Sequence, residues 1–202
     1  IGKESIDKSI VCSVRRDFDL IPRLKDFLSF TTCHLFSHNT KVPIKSNYKT
    51  LETLGMDRLA LLVGSSIDFS GKDVLILDAG TCLTVDYISA KGIHEGGRIS
   101  PGLKMRYDAL SYFTQKLPKL DYKINDCLIG DDTDSSIHTG VQQGFISEID
   151  TIISQYRKEN PEIIVIGTGG DYIFLQEALK SSIFADPFLL LRGLNEILDY
   201  NV

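Results

Sequence analysis

The spacing of apolar residues changes period several times along the chain, and each change marks an element. Residues 9–14 (SIVCSV) read as a strand, and residues 20–28 put Leu20, Leu24, Phe27 and Leu28 on one helical face. The polar, Pro-containing stretch 37–53 reads as a loop. A helix begins near Gly55, turns Leu59, Leu62 and Val63 inward and ends around residues 64–66. From Val74 an apolar run meets Asp-Ala-Gly-Thr, and residues 82–88 alternate Leu83, Val85 and Tyr87 against Thr84 and Asp86, which predicts a β-hairpin. Residues 92–102 are rich in Gly and read as a connection. Helical spacing returns at Leu103, Tyr107 and Leu110 within 103–117, and at Ile137, Val141, Phe145 and Ile149 within 135–156. The chain closes on a buried-type strand at 163–166, a turn at 167–170, a helix at 172–179, an apolar run at 188–191 and a last helix near 194–198. Hairpins alternating with helices predict a mixed α/β architecture.

Composition narrows the class. The 202 residues are 43% hydrophobic and 24% charged, ordinary for a globular protein with a sizeable core. The 22 basic and 27 acidic residues give a net charge of −5 without a basic block, which argues against a nucleic acid partner. No apolar run approaches the roughly 20 residues that span a bilayer, so no membrane is expected and a cytoplasmic location is the default. Cys12, Cys33, Cys82 and Cys127 are far apart and form no CxxC. They read as small core residues of a reduced protein, not as zinc ligands or a disulfide framework.

Phosphate chemistry is suggested most strongly by VLILDAGTCLTVDY. A buried strand there delivers Asp78, Gly80, Thr81 and Thr84 to a tight turn and its exit strand. Gly80 lets backbone N–H groups approach phosphate oxygens, Thr81 offers a hydroxyl, and Asp78 is an acceptor-only group suited to a cation. An ordinary hairpin turn uses the same residue types. Gly55-Met56-Asp57-Arg58 opens an apolar helix, where Asp57 favours the helix dipole in any case. Its functional reading makes Asp57 a base for a hydroxyl proton and Arg58 a planar fork for a carboxylate.

GGRISPG at 96–102 and IGDDTDSSIHTG, with Thr133 just before a helix, are compatible with plain turns and caps. Gly140 and Gly144, about one helical turn apart, suggest close helix packing. IIVIGTGG at 163–170 ends a strand in small residues that admit a nucleotide or permit a sharp turn, but it is not GxGxxG. His34, His38, His94 and His138 form no metal-ligand pair and read as structural or solvent-facing, and Tyr107, Tyr112 and Phe113 read as core.

Taken in order, Y(x8)GMDR, DAGTCLT, GGRISPG, GDDT with SIHTG, and GTGG resemble the type III pantothenate kinase family from about residue 9 to residue 201. The resemblance implies the α/β, actin-like ATPase (ribonuclease H-like) fold of acetate and sugar kinases and Hsp70, with duplicated domains. Approximate boundaries place the remainder of the first domain at 1–66 and the second at 67–202. It implies ATP-dependent phosphorylation of pantothenate to 4'-phosphopantothenate, the first step of coenzyme A synthesis. By the same similarity Asp57 is the general base, and Tyr48, Gly55, Met56, Arg58 and Thr133 belong with it to the pantothenate site. Thr81 and Gly80 contact ATP, Gly169 and Gly170 border the adenosine, and Asp78 holds an activating monovalent cation, K+ or NH4+. ATP with Mg2+ is the implied donor and a homodimer the implied assembly, with the Gly140/Gly144 helix a candidate contributor.

Departures from the family pattern are Met56 for alanine in GADR, Ala79 for a bulky residue, Cys82 for alanine and Leu51 for proline, none of which removes a functional group. The family also opens with a strand and a DxGNT phosphate loop, which nothing before Ile1 supplies. The first domain is therefore expected to be incomplete in this chain, with several dozen further N-terminal residues in the intact protein, and the chain as written is expected to bind without turning over. Two other readings stay open. A relative, the Bvg accessory factor, shares the fold and is associated with transcriptional activation, although retention of Asp57, Arg58, Asp78 and Thr133 weighs against it. Another small-molecule kinase of the superfamily would keep ATP dependence and lose the response to pantothenate.

Overall fold

Strands and helices alternate through the computed structural model, which describes residues 7–14, 32–125 and 127–202. The described elements are β1 (Lys8–Val11), β2 (Thr32–Leu35), β3 (Lys45–Ser46), a 3-10 turn (Leu51–Thr53), α1 (Met56–Asp68), β4 (Val74–Ala79), β5 (Cys82–Ile88), β6 (Ile93–Pro101), α2 (Leu103–Phe113), α3 (Thr133–Glu159), β7 (Ile164–Thr168), α4 (Tyr172–Ala178), β8 (Phe184–Ala185) and α5 (Leu189–Tyr200). The helix expected over 20–28 lies outside the described residues. By contact the chain divides into two units.

The first unit comprises Ile1–Gly71, Ile88–Gly96 and Phe188–Val202. β1 and β2 pair in parallel, Lys8 opposite Thr32 and Val11 opposite Leu35. β3 pairs in parallel with the start of β6, placing Ser46 opposite His94. Met56, Ala60 and Val63 of α1 pack with Phe36, Leu194 and Ile197 into one buried cluster. Glycines let α1 and α5 approach closely: a Cβ on Gly64 would sit 2.7 Å from the Leu189 carbonyl oxygen, and one on Gly193 would strike that of Ala60. The Arg192–Asp68 ion pair at 2.6 Å ties the same two helices. The apolar run 188–191 is not a separate segment but the start of α5. Phe188 caps that helix without a side-chain hydrogen bond, so no capping signal marks its beginning.

The second unit comprises Lys72–Tyr87 and Gly97–Pro187, and its strands follow the order β6-β5-β4-β7-β8. β4 is almost wholly buried and joins β5 through only Gly80 and Thr81, the hairpin that the sequence predicts. β7 runs parallel to β4, with Asp78 opposite Thr168, and β8 parallel to β7. Leu75, Leu77, Leu83, Phe145, Ile149, Ile153 and Leu175 form the centre of its core. α3 begins in a reciprocal capping box between Asp132 and Ser135.

Several expectations are corrected here. The connection expected at 92–102 is strand β6, most of whose side chains are exposed or half-exposed, so no apolar alternation announces it. Gly167 belongs to β7, paired with Leu77, and the turn starts later at Gly169. The helix expected over 103–117 ends at Phe113. Tyr107 is buried, but Tyr112 and Phe113 are each 81% exposed. None of the four cysteines is fully buried: Cys127 is exposed and the others half-buried, all as free thiols. A Cβ on Gly140 or Gly144 would meet nothing within 4 Å, so these glycines make no close helix packing among the described residues.

Candidate active site

In the first unit, Gly55 caps α1 and Asp57 stands in its first turn. The carboxylate folds back on the helix end, where the Arg58 backbone N–H donates to Asp57 Oδ1 at 2.8 Å. A Cβ on residue 55 would collide with that same oxygen, so glycine is what permits the placement. One backbone bond leaves a carboxylate acceptor capacity for a substrate proton. Met56 points the other way, into the core, and its residue also borders a cavity of about 380 Å³ with Gly55, Thr53 and His38. Cys12 lies near enough to feel the acid: burial, and after it the Asp57 charge, push its thiol up to about 11.

Arg58 is buried, with its guanidinium carbon 5.4 Å from the centre of the Tyr48 ring. Tyr48 in turn stacks on His94, with ring centres 5.8 Å apart and planes within 12°. Residues 48, 55, 57 and 58, drawn from a loop and a helix start, are thus brought together. His94, read from the sequence as structural or solvent-facing, is fully buried, and as a lone histidine it carries no pattern that would mark it for the site. Its place is set by the β3–β6 register, which only the folded chain shows.

The second unit assembles Asp78, Gly80 and Gly169. Parallel pairing of β4 with β7 sets Asp78 beside Thr168, and the chain then turns at Gly169 with φ of 91°, a conformation that glycine adopts without strain. A Cβ there would collide with Asp78 Oδ1 and the Ala79 carbonyl oxygen. The glycine therefore lets the turn pack directly against these two oxygens. Asp171 follows, its N–H donating to the Ala79 carbonyl at 2.9 Å and its carboxyl pushed up by burial. Thr81 is exposed at the hairpin tip, and Gly102 donates its N–H to the Thr81 carbonyl at 3.2 Å, so GGRISPG closes directly on DAGT. Gly170 is open. Among the described residues no group of three or more His, Cys, Asp or Glu is placed to hold a metal ion.

Thr133 is the exposed first residue of α3 and lines a cavity of about 1100 Å³ in the second unit with Arg106, Leu110, Phe113 and Ile137. Arg106 is held there by Glu148 and lies 5.0 Å from the Phe145 ring centre. Ser100 donates to the same glutamate at 2.7 Å. His138 and Gln142 both bond the Tyr107 hydroxyl at 2.8 Å, which accounts for these buried polar groups structurally. No helix among the described residues is long and apolar enough to cross a membrane.

Comparison with known proteins bears on the whole of this arrangement. The chain is 45% identical over 196 residues to the type III pantothenate kinase of Phocaeicola vulgatus, covering 97% of this chain and 81% of that one. It is 41% identical over 200 residues to that of Bacteroides fragilis, covering 99% and 82%. Among solved structures, a Baf family protein from Campylobacter jejuni superposes with a TM-score of 0.65 at 22% identity, covering 97% of this chain and 84% of that one. That likeness shows a shared α/β fold and carries nothing about activity. The profile of the family described as type III pantothenate kinase matches residues 1–155, which contain the Tyr48, Asp57, Asp78 and Thr133 segments, and by this match and these identities the chain belongs to the type III pantothenate kinase family.

Proposed function

We propose that this protein phosphorylates pantothenate with ATP, yielding 4'-phosphopantothenate and ADP at the entry to coenzyme A synthesis. Family membership supports the overall reaction. The observation that carries the site is the Asp57 carboxylate, folded onto the start of α1 beside the Arg58–Tyr48 pair. Asp57 accepts the proton of the pantothenate hydroxyl as its oxygen bonds to the γ-phosphorus and the bond from that phosphorus to the bridging oxygen of ADP breaks. A loose transition state of this kind needs positioning more than a strong base. Arg58 pairs with the pantothenate carboxylate, Tyr48 covers the site, Gly55 and Met56 shape it, and Thr133 contributes a hydroxyl.

Asp78, Gly80, Thr81, Gly169 and Gly170 form the ATP side in this reading. Asp78 would hold the monovalent cation through its carboxylate, an oxygen donor of the kind a hard cation takes. Bound there, K+ or NH4+ would offset phosphate charge. In this reading Mg2+ would arrive on ATP, held by its phosphates, and keep most of its waters. A homodimer is supported by the large cavity beside α2 and α3 and by the exposed Tyr112, Phe113, Leu128 and Ile129 near it in sequence. The regulatory reading is not favoured, since the relatives at 41–45% identity are kinases.

ADP release from Mg-ATP by the full-length protein, with and without pantothenate and in potassium and then sodium, tests the proposal. Pantothenate-dependent release that weakens in sodium is expected. Release indifferent to pantothenate in folded protein overturns it.

A further inference from the structure

We infer that His94 is a positioning residue for the acceptor site, acting through Tyr48 on Arg58. The inference rests on the reading above, in which Tyr48 and Arg58 hold pantothenate. Tyr48 lies in the irregular stretch between β3 and the 3-10 turn, where the backbone alone fixes little. Two contacts secure it: its N–H donates to Ser46 Oγ at 3.1 Å, and its ring stacks on His94. His94 is the rigid partner. It is completely buried at the start of β6, its carbonyl accepts the Asn47 N–H at 2.8 Å, and its Nδ1 lies 2.8 Å from Ser46 Oγ. One hydroxyl thus fixes both the imidazole and the backbone of the residue stacked upon it.

Arg58 is at the end of this chain of support. A long side chain with many rotamers loses affinity for a carboxylate when it must be ordered at each binding event, and a flat ring beside the guanidinium removes part of that freedom beforehand. Strand β6 holds His94, His94 holds the Tyr48 ring, and the ring holds Arg58. Precise placement of binding groups by a supporting layer of this kind sets affinity without touching the ligand. His94 therefore governs KM for pantothenate and leaves kcat and the ATP site alone.

A double-mutant cycle tests this on the full-length kinase, with KM for pantothenate, KM for ATP, kcat and Tm measured for each protein. His94→Ala is expected to raise KM for pantothenate about tenfold, with kcat and KM for ATP within twofold. In a Tyr48→Ala background the same change is expected to add less than twofold. His94→Phe, which keeps a stacking ring, is expected to return KM to within threefold of the parent. Should the alanine variant unfold, His94→Leu fills the volume without a ring and carries the same expectation. Equal effects in both backgrounds, or no rescue by phenylalanine, overturn the inference in an enzyme that still depends on pantothenate. A parent enzyme indifferent to pantothenate overturns the acceptor reading, and this inference with it.

Discussion

The Asp57 carboxylate occupies the space that a side chain on Gly55 would need: its Oδ1 lies within clashing distance of the ideal Cβ position two residues earlier. Gly55 has φ of −56° and ψ of 136°, so the backbone there is open to any residue and the constraint is one of space. Gly55→Ala should therefore displace the acid without unfolding α1. A loss of kcat of at least tenfold is expected with a stability change within about 1 kcal/mol, the ordinary range for an exchange at a helix cap. Unchanged kcat would show that the carboxylate need not sit where it does.

Asp57→Asn removes the proton acceptor while its amide oxygen can still receive the Arg58 N–H. A positioned general base contributes about 10²- to 10⁴-fold, so kcat should fall by roughly that range. KM for pantothenate should change far less, because the binding groups remain. Retained turnover would sink the base assignment.

Phe113 closes α2 with its ring 81% exposed, edge-on to Tyr112 with ring centres 4.8 Å apart, and borders the large cavity. Two neighbouring exposed aromatics are costly to leave in water and typical of an interface centre. Phe113→Ser should leave the stability of the subunit intact and weaken dimerisation by about 2 kcal/mol, near 30-fold in dissociation constant by sedimentation. A parent protein that sediments as a monomer, or a variant with the parent's dissociation constant, would remove this surface from the interface.

The cap of α3 gives a pH signature. The Ser135 hydroxyl, and after it the Ser135 backbone N–H, hold the Asp132 carboxyl below the usual carboxylate range. A group whose folded pKa is depressed contributes stability above its unfolded pKa and loses it as pH falls through the folded value. Asp132→Ala should thus lower Tm at pH 6 to 7, and the gap from the parent should shrink below about pH 4. A gap that widened on acidification would contradict the capping role.

The hairpin carrying Asp78 and the helix start carrying Asp57 were legible because both join a strong apolar period to a break in it. β6 was not, since most of its side chains face water and its ladder is made by backbone groups that every residue possesses. β8, two residues long, offers no period at all. Site residues within one motif, such as Gly55 with Asp57, could be read together from spacing. The meeting of Asp78 with Gly169, or of Tyr48 with His94, depends on strand register across a long stretch of chain, and no local pattern encodes it. The exposure of Tyr112 and Phe113 is not legible in the sequence, because aromatic content reads the same in an interior and on a surface.

Cys12 offers a chemical probe of the acid from a distance. Burial raises its thiol first and the Asp57 charge adds to it, bringing it to about 11, so it is held as the thiol at pH 8. Alkylation with iodoacetamide, followed residue by residue by mass spectrometry, should label exposed Cys127 well before Cys12. Removing the charge with Asp57→Asn takes away the second cause only, so Cys12 labelling at pH 8 should accelerate several-fold and still lag behind Cys127. An unchanged Cys12 rate would mean that the Asp57 charge does not reach the thiol, and that the carboxylate points elsewhere than along the start of α1. Acceleration in the asparagine variant, with Tm unchanged, would place the ionised acid beside Cys12 independently of any turnover measurement.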